Sequence, residues 1–484
     1  MIRRGLLSLL LLSATGTLAL SHSSFGHIRG VVRDPQQRTV KDAQITLKAR
    51  QSALVLSART DDSGAFAIQG IPIGEYTLSV EAAGFSKVEQ AVTITSGDSA
   101  VLQLQLQVAP VTERVDIVES PGVVESDSPT PTTLVNRLEI ARSPGADRSN
   151  SLAAITDYVP GAYTTHDQLH VRGGHQVSWL IDGIPVPNTN IAANVGPQFD
   201  PKDVDYLEVQ RGGYSAEYGD RTYGVFNVVP RTGWERHNEG EALLSYGNFH
   251  QTNDQVSFGS HTDKMAYYFS LNGNRSDFGL SASTRDVIHD AENGFGGFAS
   301  LVFVPSTANQ FRLVTSGRTD HYQVPNDADA EAAGIRDVEK EADYFANFSW
   351  LRTLGKDRLL TISPFYHFNR ANFEGGPGDT PLISQERRDS HYVGAQIALS
   401  VLTSKHDLRG GIYGFFQHDS AFFGLQATDG SGLNLSQNEK VGGNLSALFL
   451  EDQYKLARWL TVTAGLRLTH FAGSVSENAA SPRV

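Results

Sequence analysis

The chain has 484 residues, 40% of them hydrophobic and 9% aromatic, enough for several domains with sizeable cores. Forty basic side chains against 53 acidic ones give a formal net charge of -13, which excludes a general nucleic-acid binder with a basic face. Cysteine is absent, so disulfides, thiolate metal sites, Fe–S clusters, a cysteine nucleophile and a lipidated N-terminal cysteine are all excluded.

Arg3 and Arg4 precede an apolar stretch, Gly5 to Leu20, with small residues at Ala19 and Ser21. This is the pattern of an export signal over residues 1–21, with the mature chain expected to start at His22. Losing both arginines would leave 38 basic against 53 acidic residues, a net of -15. Beyond the N-terminus no apolar run approaches about 18 residues, so no helical membrane span is expected. A membrane could be crossed only by strands closed into a barrel.

Residues 22–108 read as a small β-sandwich. Runs such as Ile28 to Val32, Ala43 to Lys48, Ala65 to Gln69 and Tyr76 to Glu81 are bounded by turn residues at short intervals. Val101 to Val108 alternates Leu with Gln and predicts one buried and one wet face. Asp61-Asp62-Ser63-Gly64 has turn chemistry and lacks the spaced oxygens of a calcium loop. The segments Gly30 to Asp34, Ala43 to Leu47, Thr60 to Phe66, Ile73 to Leu78 and Ala83-Gly84-Phe85 together resemble the carboxypeptidase regulatory-like domain. That resemblance implies a transthyretin-like sandwich without zinc or catalytic residues. The peptidase-like spacing His289-Asp290-Ala291-Glu292 falls far from it and is read as coincidence among 15 histidines.

Residues 109–135 carry Pro110, Pro121, Pro129 and Pro131 among Ser and Thr, an extended tether. Within it Thr112 is followed by Glu113, Arg114, Val115, Asp116, Ile117 and Val118, alternating polar and β-branched residues. Such a segment can add itself as a strand to a partner's sheet edge. An inert linker or a last sandwich strand has the same pattern.

Residues 136–235 hold the most specific motifs. Leu152, Ile155 and Val159 mark one helical face within Ser143 to Pro160. There follow Arg172-Gly173-Gly174, Asp182-Gly183, Glu208-Val209-Gln210-Arg211-Gly212, Glu217-Tyr218-Gly219 and Asn227 in an apolar strand. Their order resembles the plug domain of TonB-dependent outer-membrane receptors. Gly213-Tyr214 in place of the commoner proline step, and no Gly-Gly before Asn227, depart from that pattern. The resemblance implies that Arg172 and Arg211 pair with acidic residues on a surrounding wall; a bridge within the plug, such as Arg211 with Glu217, is the alternative. Asp182 reads as a turn former. His166, His170 and His175 read as solvent-facing or ligand-contacting, and no metal or cofactor is expected.

From 236 to 484 the chain reads as transmembrane strands. Met265, Tyr267, Phe269 and Leu271 alternate with Ala266, Tyr268, Ser270 and Asn272, and Val393 to Val401 and Leu460 to Leu468 behave alike. A soluble sandwich shares this period. Leu448 to Leu456 with Gly465-Leu466-Arg467 resembles barrel strands of the same receptors. In that register Glu451 faces the lumen as a partner for Arg172 or Arg211. About eleven strands fit between Gly240 and Ala472, whereas roughly 22 are needed to enclose a plug, and no terminal aromatic closes the chain. An N-terminal part of a barrel is therefore expected.

The sequence predicts a mainly β, non-enzymatic chain made of a sandwich, an α/β plug and about half a barrel. The resemblance implies an outer-membrane receptor that imports an extracellular ligand (a siderophore, carbohydrate or peptide) using a TonB-type periplasmic energy-coupling protein. Its sandwich and linker would lie in the periplasm and its strands in outer-membrane lipid. A surface-binding or adhesion protein without transport, a soluble periplasmic module and a non-functional receptor fragment stay open as alternatives.

Overall fold

The structure is a computed structural model that describes residues 25–96, 99–109, 130–143, 152–156, 159–165, 168–174, 177–187, 198–219, 223–279, 288–457 and 460–484. The export signal and the segment Glu113 to Val118 lie outside these residues, as do His166 and His175.

The N-terminal unit is built from β1 (Phe25–Arg33), β2 (Gln44–Ala49), β3 (Val55–Arg59), β4 (Ala65–Pro72), β5 (Gly74–Glu81), β6 (Val88–Ile94) and β7 (Ser99–Gln105). They form a three-stranded sheet ordered β4-β1-β7 and a four-stranded sheet ordered β3-β2-β5-β6. The inner faces meet around Ile28, Ile45, Leu47, Ile71 and Leu78. The Leu/Gln alternation resolves as predicted, with Leu102, Leu104 and Leu106 buried and Gln103, Gln105 and Gln107 exposed.

Next come β8 (Thr132–Asn136), α1 (Arg137–Arg142), α2 (Leu152–Thr156), β9 (Ala162–Thr165), β10 (Gln168–Val171), β11 (Val177–Ile181), β12 (Ile184–Pro185), β13 (Val204–Gln210) and β14 (Gly224–Pro230). Five of these strands make a mixed sheet ordered β12-β11-β14-β13-β8. β14 is buried along its whole length, as a central strand covered on both faces must be. The tether predicted to run through 135 ends sooner. Its last residues form edge strand β8, which the flanking prolines Pro129 and Pro131 disguise in the sequence. Asn136 then caps α1, accepting from the Leu138 and Glu139 amides while Glu139 reaches back to its own amide.

The remaining chain is one twelve-stranded antiparallel sheet in chain order. It runs through β15 (Glu239–Leu243), β16 (Thr252–His261), β17 (Met265–Ser276), β18 (Glu292–Ser306), β19 (Asn309–Gln323) and β20 (Val338–Thr353). It continues with β21 (Arg358–Glu374), β22 (Leu382–Leu402), β23 (His406–Ala427), β24 (Asn434–Ala457), β25 (Leu460–Ala472) and β26 (Ser476–Arg483). A short helix, α3 (Ala328–Ala333), sits in the loop before β20. β15 and β26 are the two ends of the sheet and are not paired with each other. β26 goes beyond the predicted strands because Ser476 to Arg483 has no apolar alternation. The sheet wraps the plug, so its concave side is interior to the molecule.

Candidate functional site: the interface between plug and wall

The concave face of the sheet is buried; Phe298, Val314, Phe345 and Phe365 on it share one apolar core with the plug, and polar side chains lie among them. Ser270, Asn272, Asn347, Ser363, Gln396 and Arg409 are all shielded there. The convex face is apolar and open, with Leu271 53% exposed, Val393 57% and Phe416 73%. This inverts the arrangement of a water-soluble sheet and matches a lipid-facing barrel wall.

Beside this shared apolar core, where Phe199 meets the Phe298 ring edge-on at 5.2 Å, the polar contacts of plug with wall centre on three acidic segments. Asp182 sits at φ 53° in the turn after β11. One of its oxygens lies 2.9 Å from Nη1 of Arg312 on β19, with both side chains nearly fully buried. Burial pushes the Asp182 carboxyl up to about 6, against the pull of the Arg312 guanidinium. Arg312 also donates to the Pro230 carbonyl at 3.3 Å, tying β14 to the same wall position. Asp182 is thus both a turn residue and the plug's half of a buried ion pair.

Asp203 is the second contact. It accepts from Tyr268 Oη at 3.1 Å, Ser270 Oγ at 2.8 Å and Gln255 Nε2 at 3.1 Å, all on wall strands. Burial and the neighbouring Asp200 raise its carboxyl to about 7. Asp200 binds Lys202 at 3.1 Å, and the Lys202 ammonium donates to Asn253 on β16 at 2.6 Å.

The third contact is the Ala216–Gly219 turn. The Ala216 amide donates to Glu451 Oε2 at 2.7 Å, and Glu217 accepts from Gln396 Nε2. The Glu217 carbonyl accepts from Arg467 Nη1 at 2.5 Å. Burial lifts the Glu217 carboxyl to about 8. Gly219 leaves room here for the Arg467 side chain, which a Cβ at this position would have to displace.

The arginines read as wall anchors behave differently. Arg172 donates to the Arg211 carbonyl at 3.1 Å, and Arg211 donates to the Pro160 carbonyl at 2.7 Å and to Thr133 Oγ1 at 3.0 Å. Both guanidiniums therefore staple plug backbone, and Glu217, turned to the wall, is not the partner of Arg211. Glu451 does face inward beside the plug and receives the Ala216 amide, while Arg172 and Arg211 donate within the plug. In the one ion pair described between them, Asp182 with Arg312, the plug gives the acid and the wall the cation, the reverse of the expected polarity. An inward-register arginine inside an apolar strand, as in Phe311-Arg312-Leu313, is the signal that marks Arg312 in the sequence.

Glu208 and Asn227 form a polar spine within the plug. Asn227 Oδ1 accepts from the Gly183 amide at 2.9 Å and its Nδ2 donates to Glu208 at 3.1 Å. Glu208, fully buried, also accepts from the amide of Ser96 at 2.7 Å and its hydroxyl at 2.6 Å. Ser96 follows β6 of the sandwich, and Gln210 donates to its hydroxyl at 2.8 Å. Further sandwich contacts are His27 with Asp407 at 3.0 Å and Arg29 with the Thr403 carbonyl at 2.5 Å. The sandwich therefore grips plug and wall together. His170 stacks on Tyr163 with ring centroids 5.2 Å apart.

Comparison with known proteins agrees with this geometry. The Carboxypeptidase regulatory-like domain family matches residues 27–107, and the TonB-dependent Receptor Plug Domain family matches residues 124–225. The two N-terminal domains are thus similar to these two families, the second of them the plug of TonB-dependent receptors. Among curated relatives, the TonB-dependent transporter Oar of Myxococcus xanthus is 25% identical over 252 residues, which cover 50% of this chain and 24% of that protein. The ferric yersiniabactin uptake receptor FyuA of Yersinia pestis shares the fold with a TM-score of 0.56 at 12% identity, over 73% of this chain and 60% of that one. The ferripyoverdine receptor of Pseudomonas aeruginosa does so at 0.58 and 11%, over 79% and 58%. The chain thus spans about a quarter of the curated relative and about three fifths of these solved structures.

Proposed function

We propose that this chain acts in the outer membrane as a TonB-dependent receptor, taking a small extracellular ligand inward when its plug shifts against the wall. The observation that carries this reading is the inverted sheet wrapped around a plug whose acids Asp182, Asp203 and Glu217 are bonded to it. The convex apolar face suits acyl chains, and the polar side chains of the concave face suit a hydrated path.

Orientation follows from the turns. The sandwich touches the wall at the short connections near Lys356 and Thr403. In such barrels short turns are periplasmic and long loops extracellular, and this supports a periplasmic sandwich and tether. Glu113 to Val118 on that tether is the segment offered to the energy-coupling protein for β-augmentation.

Two measurements test the reading separately. The full chain should fractionate with outer membranes and migrate faster in a gel before heating than after; recovery as a soluble periplasmic protein would end the membrane assignment. Because the chain has no cysteine, Val115→Cys provides a lone thiol. It should form a disulfide with a cysteine on the edge strand of the coupling protein's periplasmic domain, and no cross-link would end the coupling claim.

A further inference from the structure

The outer face of the wall is not uniform. On β18 and β19 the outward positions Gly297, Ala299, Thr315 and Gly317 are small, and they sit between Phe269 and Leu271 on one side and Tyr344 on the other. The result is an open apolar groove of about 550 Å³ on the lipid-facing surface. Just beyond it, toward the long loops, lies a second hollow of about 430 Å³ bordered by Lys340, Arg370 and Arg387.

The register joins the two hollows. Gly317 pairs with Tyr344 and Tyr344 with Phe368, while Arg370, two residues further along β21, pairs with Ala342 and with Asp389. Two residues along a strand are about 7 Å, so the cationic hollow opens one step above the aromatic row. The Arg370 guanidinium carbon lies 5.5 Å from the centre of the Phe368 ring, at the boundary between the two.

The cations are held in place. Asp389, with a side chain only 9% exposed, accepts from Arg370 Nε at 2.5 Å and from Arg387 Nη2 at 2.7 Å. Arg370 is bound through Nε, which leaves its terminal amino groups for another acceptor. Lys340 binds Glu374 at 2.6 Å with its side chain 45% exposed. Asp320 and Glu341 also line the hollow but are buried and bonded to Arg318 and Gln198, so its open rim is formed by three cations against Asp389 and Glu374, with guanidinium forks oriented by a shared acid.

We propose that groove and hollow together form a binding site for a phosphorylated lipid of the outer leaflet, with an acyl chain on the Gly297–Gly317 floor and its phosphate against Arg370 and Arg387. The inference rests on the membrane orientation proposed above. An annular lipid needs only the apolar face; the adjoining cationic hollow, at the level where headgroups begin, adds the charge complementarity that selects a phosphate.

The test uses the full chain, purified in a non-ionic detergent, and radiolabelled bis-phosphorylated lipid A as the probe. The chain should retain this lipid about tenfold better than the same lipid stripped of phosphate, the scale expected for charge-assisted hydrogen bonds to one phosphate. Arg370→Ala with Arg387→Ala should abolish the preference. Ala299→Trp should weaken retention of both lipids by filling the groove, and Arg358→Ala at the opposite rim should change nothing. Protease resistance of each variant confirms folding. Equal retention of both lipids, an unaffected double variant, or full displacement by millimolar inorganic phosphate would overturn the site. The result is read in detergent, so it stands apart from fractionation: a chain absent from outer membranes would sink the membrane reading, and a membrane-embedded chain without phosphate preference would sink this inference alone.

Discussion

The sandwich and the wall are both antiparallel β-structure with strict two-residue alternation, yet they assign their faces in opposite ways. In the sandwich Ile28, Ile45 and Leu78 are sealed between two sheets and Gln103 and Gln105 meet water. In the wall Leu271, Val393 and Phe416 face outward, while Asn347, Ser363 and Arg409 are interior. A period of two fixes that there are two faces and says nothing about which faces water. The chemistry of the polar face decides. Sandwich strands carry polar side chains that solvent can satisfy, whereas wall strands carry side chains that pair with a second domain.

The strongest way to break this comparison is to strip a polar partner from the wall's interior. Arg312→Ala leaves Asp182 buried opposite an apolar side chain and should cost about 3–5 kcal/mol, as loss of one member of a buried ion pair does. The expected readout is a plug that trypsin removes from an otherwise folded chain, and Asp182→Asn added to Arg312→Ala should restore part of the resistance. Unchanged protection would mean that the pair does not hold the plug.

A charge on the convex face should cost somewhat less. Phe416→Arg, midway along β23, is expected to lose about 2–4 kcal/mol and to lower the amount of chain recovered in outer membranes. In a soluble protein an Arg in place of a residue as exposed as Phe416 would be close to neutral, so normal recovery would contradict the lipid-facing assignment.

Acidity gives a smaller, reversible effect. Asp182, Asp203 and Glu217 have carboxyls raised to about 6, 7 and 8 by burial. The folded plug thus binds protons that the unfolded chain, titrating near 4, releases. Their contribution is fully present below about pH 4 and is lost as pH rises through 6 to 8. Plug protection should therefore be greater at pH 5.5 than at pH 8.5, and Glu217→Gln should flatten the upper part of that change. A profile rising with pH would contradict the burial of these acids. At the weak end, Gln103→Arg on the sandwich's wet face should shift its unfolding midpoint by an amount worth under about 0.5 kcal/mol.

The sequence carried most of the architecture. Each predicted sandwich strand is present because turn residues bound it and one face is apolar. The count of about eleven strands agrees with β15 to β25, because outward aromatic residues punctuate them. The interface was less legible. Arg172 and Arg211 are conspicuous beside their glycines, but a guanidinium near many turn carbonyls is satisfied locally. The wall partners Arg312, Gln396 and Arg467 lie 130, 179 and 250 residues from the plug acids or carbonyl they meet (312 − 182, 396 − 217, 467 − 217), so no local pattern links them. Ser96, a turn residue at the end of a strand, gives no hint in the sequence that it will reach Glu208.

The way the tether joins the plug has a mechanical consequence. Its far end runs directly into β8, the outermost strand of the plug sheet, which pairs with β13 over just Thr132 to Asn136. A tension arriving along the tether is borne by this short edge first, before it reaches the Asp182–Arg312 pair at the wall. As an edge strand, β8 is bonded to a neighbouring strand on one side only. β8, with the Arg211 contacts to Pro131 and Thr133, is thus the first part of the plug that a pull along the tether would load.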